Sequence, residues 1–332
     1  MPPRVSVLLP TYNRAALLPR AIESVLAQTM PDLELIIGDN VSTDETAEIV
    51  RRYAGQDARV RVFRNTAHTN AVDNFNLTYR RADKASAYLA VLASDDWWEP
   101  VLLERMIGEA EAHPAVTFVH TDMYRTDHDG TILNRYTDLF DHLPPPGVHQ
   151  GARELFHGNY INIMSALMRR TAFQKVFPND LFLDPQLNWA PDYLLWLQLL
   201  LKGAQAYYIP EPLAYYRKSK DAMTQASNEA QRLQNEVVIF RDKLAGICPP
   251  ELETLRRETL YQRLVALGFA LLQARNAKAA RDALGEAQRL GRRQRLDVLV
   301  AQIVASLPCS TTLRANLWQR ALATSHALRR AA

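Results

Sequence analysis

Val5-Ser6-Val7-Leu8-Leu9-Pro10-Thr11-Tyr12-Asn13-Arg14 is an apolar run that stops at a proline and delivers a hydroxyl, an aromatic ring, an amide and a cation. A short, β-branched apolar stretch bounded by such a break reads as an inner strand of a sheet. Two later stretches repeat the pattern: residues 33–38 end in Asp39-Asn40, and residues 88–93 end in Ser94-Asp95-Asp96. Strand-like runs also fall at 60–64 and 117–121. Helical periodicity fills 15–28, 43–53, 72–82 and 101–112, with Ser42 or Thr43 suited to cap the second of these. Strands alternating with helices predict an α/β fold with a mainly parallel sheet. Ligands of open α/β sheets gather beyond the carboxyl ends of the strands. Three such ends carry this chain's polar clusters, so one rim of the sheet is the expected site.

Asp129-Gly130, between strand-like 124–126 and 131–133, reads as a hairpin turn. Beyond the Pro144-Pro145-Pro146-Gly147 break come a strand-like 163–168, a helix over 191–201 and a strand over 204–209. From about residue 225 strand signals stop and helical periodicity continues. The expected division is therefore 1–224 for the α/β domain and 225–332 for an all-helical C-terminal extension. Leu267-Gly268, Leu271, Ala280, Leu284 and Ala287 have the spacing of a tetratricopeptide-type helical hairpin. A lone hairpin cannot build a solenoid, so a helical cap is the expectation rather than a repeat module.

Length and composition narrow the function. At 332 residues with 48% hydrophobic residues, the chain is large enough for one sizeable domain plus a smaller one. The net charge of +3 conceals −5 over residues 1–224 and +8 over 225–332. A basic helical tail suits either a solvated face or peripheral contact with an anionic membrane surface. Its basic residues lack interleaved aromatics that would stack bases, so nucleic acid is not an expected partner. Cys248 and Cys309 lie far apart and have no zinc-like histidine spacing, which fits a reducing compartment. No apolar run reaches the roughly 18–20 residues of a membrane span. A cytoplasmic protein is expected.

Asp95 and Asp96 carry the sharpest chemistry. Adjacent carboxylates behind a buried strand repel unless a positive group relieves them. A hard divalent ion, Mn2+ or Mg2+, held by a carboxylate and by phosphate oxygens would do so. Capping of the following helix is the simpler alternative use of the same side chains. There is no G-x-G-x-x-G after the first strand and no P-loop, which removes the usual dinucleotide and nucleoside-triphosphatase readings.

Pro10-Thr11-Tyr12-Asn13-Arg14, Asp39-Asn40-Val41-Ser42-Thr43-Asp44-Glu45-Thr46 and Ser94-Asp95-Asp96 resemble the first signatures and the D-x-D-type motif of family 2 glycosyltransferases. Gly158-Asn159, Ser165 to Arg170 and Pro191-Asp192-Tyr193-Leu194-Leu195-Trp196 resemble that family's acceptor-side and base-bearing segments. The likeness spans roughly residues 4–224. It implies a GT-A fold and an inverting, non-processive enzyme that moves one sugar from a nucleotide-diphosphate sugar to a hydroxyl acceptor. Cell-surface glycan assembly, on an acceptor such as a lipid-linked glycan, is a setting the resemblance suggests. By resemblance, Pro10, Thr11 and Tyr12 line the nucleotide, with Tyr12 against the base. Asp39 and Asn40 read the base, Asp95 contacts the ribose or the metal's water, Asp96 ligates the ion, and Asp192 is the general base.

The sequence departs from the family pattern at three places. Asn40 stands where a second Asp is common; an amide can donate as well as accept. Uridine and thymidine donors remain favoured. Pro191 replaces an acid before the base. Near position 219, where the family often has a His, the chain reads Tyr216-Arg217-Lys218-Ser219-Lys220, so Arg217 is the expected phosphate contact. Two rivals follow: a sugar-phosphate nucleotidyltransferase, which would need a glycine-rich loop after the first strand, and a non-catalytic sugar-nucleotide-binding or scaffold protein with a degenerate site.

Overall fold

In the computed structural model the described residues are 2–177, 182–218 and 229–290. The chain divides into two compact units, Met1–Ala222 and Met223–Ala332. The expected boundary after residue 224 falls among 219–228, outside the described residues, as do Ser219 and Lys220 and everything after residue 290, including Arg292, Arg293 and Cys309.

The first unit is built on one sheet. Strands β1 (Val5–Thr11), β2 (Leu33–Asp39), β3 (Val60–Arg64) and β4 (Tyr88–Val91) pair in parallel in the order β3-β2-β1-β4. All seven residues of β1 and of β2 are buried. That double-sided burial explains their near-continuous apolar composition. Helices α1 (Leu18–Leu26), α2 (Thr46–Gln56) and α3 (Ala71–Arg80) make the crossovers. Beyond β4 the sheet turns mixed. β5 (Trp97–Trp98), α4 (Leu102–Ala112), β6 (Val116–Thr126), β7 (Ile132–Arg135), β8 (Gly147–Gln150) and β9 (Ala166–Arg169) follow. After them come α5 (Arg170–Val176), α6 (Pro191–Leu201) and β10 (Gln205–Arg217). β9 runs antiparallel between β4 and β6, while β10 lies parallel to β6 and antiparallel to β5. Val5, Val7, Leu9, Leu35, Ile37, Ala90 and Leu92 enter one core with Leu18, Ile22 and Val25 of α1 and with Leu103, Met106 and Ile107 of α4.

Three local expectations change. Neither Ser42 nor Thr43 caps α2, whose N-cap is Glu45 without a side-chain bond. Ser42 Oγ instead accepts from Asn13 N at 3.0 Å, a cross-loop bond that no local spacing announces. The strand expected over 163–168 begins as a 3-10 turn, Ile163–Ser165, seated by Asn162, and only then becomes β9. The strand expected over 204–209 continues to Arg217, through irregular register at Pro210-Glu211-Pro212.

In the second unit α7 (Glu229–Val238) runs into a π-helical turn, and α8 (Pro250–Gln273) and α9 (Ala277–Leu290) form the expected antiparallel hairpin. Gly268 lets them close: a Cβ there would stand 2.6 Å from Leu284 Cγ.

Gly38 has the same function in the sheet. A Cβ on it would meet Thr78 Oγ1 at 2.3 Å and Phe63 Cζ at 2.8 Å, so α3 can lie against the end of β2 only because the side chain is missing. Gly38→Ala is expected to lower unfolding free energy by about 1–3 kcal/mol, the usual cost of overpacking. Urea unfolding of both proteins reads this directly.

Candidate active site

The parallel register fixes the rim. Pro10 faces Gly38 and Thr11 faces Asp39 across β1 and β2, while Leu8 faces Val91 across β1 and β4. Residues 11–14, 39–43 and 94–96 therefore leave the sheet on the same edge. The first two turns interlock. Asp39 Oδ1 accepts from Ser42 N at 2.9 Å, and Asn13 Oδ1 accepts from Thr43 N at 2.8 Å. Both turns hold a non-glycine residue at positive φ, Asn13 at 50° and Val41 at 63°. A β-branched residue in that region is strained, by on the order of 1–3 kcal/mol, and needs such cross-bonds to stay there.

Tyr12 is 42% exposed at this rim. Its ring lies 4.5 Å from that of His68, tilted by 49°. His68 belongs to the loop 65–70, and its Nδ1 is 3.2 Å from the Asn40 carbonyl oxygen. Nothing in the sequence around it marks His68; only the folded loop brings it to Tyr12. Asp39 and Asn40 reach the same edge but turn inward. Asp39 Oδ2 pairs with Arg64 at 2.9 Å. Asn40 Oδ1 accepts from Asn65 Nδ2 and from Thr69 N, each at 2.9 Å, and from Thr69 Oγ1 at 3.1 Å. Its Nδ2 donates to Thr69 O at 2.7 Å. The Asn40 amide thus holds the loop that carries His68.

Asp96 is buried, and Arg217 at the end of β10 brackets it. Asp96 Oδ1 accepts from the Arg217 main-chain N–H at 2.8 Å. The Arg217 guanidinium donates to Asp95 O at 3.0 Å and to His128 O, and lies 4.8 Å from the Trp97 ring centre. Arg217 thereby fixes the turn through main-chain oxygens. Asp96 Oδ2 is buried without any hydrogen-bond partner, as is Thr11 Oγ1. Desolvation, followed by repulsion from Asp95, pushes the Asp96 carboxyl well above its ordinary range. Desolvation raises Asp95 too, against the attraction of Arg14 and Arg217. A buried carboxylate oxygen without a donor has an acceptor position that a cation could use. The set offers only hard oxygen donors, which suits Mg2+ or Mn2+. Among the described residues no three His, Cys, Asp or Glu side chains gather to hold a metal, so the remaining ligands would have to come from a bound diphosphate. Trp97 and Trp98, which follow Asp96, are both buried.

Asp192 opens α6, behind Ala190 in the left-handed region at φ 55°. Its Oδ2 accepts from Asn159 Nδ2 at 3.2 Å and its Oδ1 from Tyr193 N at 3.0 Å. Desolvation raises its pKa to about 6 against the opposing pull of Asn159 and of the Tyr193 and Ile163 amides. Its surroundings are tied to the strands that flank Asp96. Trp98, two residues after Asp96, donates from Nε1 to Met164 O at 2.7 Å, and Met164 follows Ile163. Tyr216, beside Arg217, packs its ring edge-on to Tyr136 at 6.3 Å, and Tyr136 OH donates to Asn159 O at 3.0 Å. Residues around Asp192 are thus linked through side-chain contacts to β5 and to the end of β10.

This geometry can be set beside known proteins. The family described as Glycosyl transferase family 2 matches residues 6–177, more than half of the chain. The chain belongs to glycosyl transferase family 2. As a family 2 glycosyltransferase it is 29% identical over 240 residues to the Bacillus subtilis protein named for teichuronic acid biosynthesis, glycosyltransferase TuaG, covering 72% of this chain and 88% of that one. It is also 29% identical over 216 residues to Escherichia coli WfaP, a UDP-Glc:alpha-D-GlcNAc-diphosphoundecaprenol beta-1,3-glucosyltransferase, over 64% of this chain and 76% of WfaP. The fold is that of S. aureus TarS 1–349 in complex with UDP-GlcNAc, with a TM-score of 0.65 at 17% identity over 95% of this chain and 89% of that one. The GT-A architecture with a helical C-terminal unit read from the sequence is therefore met. Among the described residues no helix is long and apolar enough to cross a membrane.

Asp192 provides a stability test of its own environment. An Asp that is raised to about 6 in the fold from 3.8 in the open chain stabilises the fold below pH 4 and loses that contribution as pH rises through 6. At pH 7.5 Asp192→Asn is expected to increase unfolding free energy by about 1–3 kcal/mol, and at pH 4 the gain should shrink towards zero. Denaturant melts at the two pH values measure the difference.

Proposed function

We propose that this family 2 glycosyltransferase transfers a single sugar from a UDP-linked donor to a hydroxyl of a growing cell-surface glycan, with inversion at the anomeric carbon. The observations that support the reading are two carboxylates in low-dielectric surroundings, Asp96 at the sheet rim and Asp192 at the start of α6. Asp96 has an unpartnered oxygen, and Asp192 has a proton affinity raised towards neutrality. Uridine is favoured by two names among similar proteins, WfaP for UDP-Glc and TarS for its UDP-GlcNAc complex. The lipid-linked acceptor named for WfaP makes a diphospholipid-linked glycan the first acceptor to try. The chemistry of a sugar–phosphate donor does not require a membrane span. The basic segment after residue 224 would serve peripheral contact with an anionic surface, and its residues beyond 290 lie outside those described.

In this scheme Tyr12 stacks against the base, a use that suits a ring left exposed at a strand end. Pro10 and Thr11 shape the strand end beneath the nucleotide, with Thr11 Oγ1 unpartnered, and Asp39 and Asn40 set the turn and the loop around it. Asp95 and Asp96 would hold a divalent ion together with the donor's diphosphate oxygens. Such an ion offsets the negative charge that grows as the diphosphate departs. Asp192 accepts the proton of the acceptor hydroxyl while its oxygen bonds to the anomeric carbon. The bond from that carbon to the diphosphate breaks, and UDP leaves. Asn159 holds Asp192 by one oxygen, which keeps the carboxylate aimed without neutralising it.

Product analysis separates this reading from its rivals, because transfer releases UDP and a nucleotidyltransferase releases pyrophosphate. Asp192→Asn is expected to lower kcat by at least about 100-fold while UDP affinity, read by calorimetry, changes less than threefold. In the wild type kcat/KM should fall about tenfold per pH unit below pH 6, because the base must be deprotonated. A flat profile between pH 5 and 7 would remove Asp192 from that role. UDP should also raise the melting temperature more with Mn2+ than without it. That increment is expected to vanish in Asp96→Asn.

A further inference from the structure

One short segment grips the Gly158–Asn159 peptide from two sides. Asn159 O accepts from Tyr136 OH at 3.0 Å, and a Cβ on Gly158 would stand 2.9 Å from ring atoms of Phe140. The Asn159 amide itself is held at one end. Its Nδ2 donates to Asp192 Oδ2 at 3.2 Å, while its Oδ1 is buried without a hydrogen-bond partner. An amide fixed at one of its two ends takes its aim from the main chain that carries it. We propose that Tyr136 is a positioning residue for the base, holding the Asn159 main chain so that the Asn159 amide stays on Asp192; the inference rests on the base role proposed for Asp192 above.

Tyr136 can do this because the chain on both sides of it is tied to β6. Its own N–H donates to Met123 O at 2.7 Å. Before it, Arg135 Nε donates to the buried Asp122 Oδ2 at 2.6 Å. After it, Thr137 Oγ1 donates to the same oxygen at 2.6 Å and Thr137 N to Asp122 Oδ1 at 3.2 Å. The ring packs 5.4 Å from that of Phe140 and 6.3 Å from that of Tyr216. A phenol carries its hydroxyl at the far end of a rigid ring, so fixing the ring fixes the donor. The bond it protects is a sensitive one. At 3.2 Å the contact from Asn159 to Asp192 already stands at the long end of the hydrogen-bond range, and a small shift of residue 159 would break it. Asp192 would then lose the first of the groups that oppose its desolvation and keep the main-chain N–H groups of Tyr193, Asp192 and Ile163. Its carboxyl would hold a proton more firmly and lose the partner that aims it.

Carboxyl 13C NMR of the full chain labelled at aspartate reads this directly, with the Asp192 resonance identified by its loss in Asp192→Asn. Tyr136→Phe keeps the ring against Phe140 and Tyr216 and removes one hydrogen bond, too small a loss to unfold the domain. From about 6 in the wild type, the Asp192 titration is expected to rise by about half a pH unit in Tyr136→Phe and in Asn159→Ala. In the double variant Tyr136→Phe/Asn159→Ala it should lie within about 0.2 pH unit of Asn159→Ala alone, because a residue that acts through the amide has nothing to act on once the amide is gone. An unchanged titration in Tyr136→Phe would overturn this inference alone. So would a further rise in the double variant, which would show Tyr136 acting by general packing. UDP release from UDP-glucose, measured in the wild type and in Asp192→Asn, tests the reading beneath it. Equal release by the two proteins, or none by the wild type, would remove the base role and Tyr136's part in it, whatever the titrations show.

Discussion

The pairing of β1 with β2 and β4 in one parallel register is the constraint on which the rest depends. Strands that run the same way end on the same edge, and Thr11 beside Asp39 sets that edge to the residue. A one-residue slip would send every side chain of β2 to the opposite face. Burial on both faces of β1 and β2 opposes the slip, which would also break the buried contacts of Ser6 with Glu34 and Ser86. The turns beyond the strands can then be strained without moving. Val41 keeps a positive φ because Asp39, Ser42, Asn13 and Thr43 bond across two loops whose spacing the register already fixes.

Desolvation has opposite uses at the two carboxylates. At Asp192 it raises the proton affinity of a group that keeps moderate hydrogen bonds from Asn159 and Tyr193, which suits the base role proposed for it. At Asp96 one oxygen is bonded to the Arg217 amide and the other to nothing, with Asp95 alongside. Without a counter-charge that arrangement favours protonation. A divalent ion and a diphosphate would reverse the balance, because the ion neutralises the pair and the phosphates complete its ligands.

Much of this was legible in the sequence because strand ends and patterning are local. The runs at 5–9, 33–38 and 60–64 and the helix Pro191–Leu201 follow from composition and breaks alone, and their polar endings pointed to one rim. What was not legible depends on side chains that meet across loops. The sequence places Asn40 next to Asp39 as if both faced a ligand, yet the Asn40 amide is turned into residues 65–69. The hydrogen bonds from the Arg217 guanidinium to the carbonyls of Asp95 and His128 likewise span loops that no local pattern announces. His68 carries no local signal at all. Its position follows from a loop conformation that a linear pattern cannot encode.

These inward turns explain how the site can depart from the family pattern and still be well ordered. An Asp at position 40 could not donate to Thr69 O as the Asn amide does, and so could not close the loop in the same way. At position 40 the amide ties the loop 65–70 to the end of β2. The change is coupled rather than a simple loss: Asn40 is useful here only because Asn65, Thr69 and His68 are present to receive it.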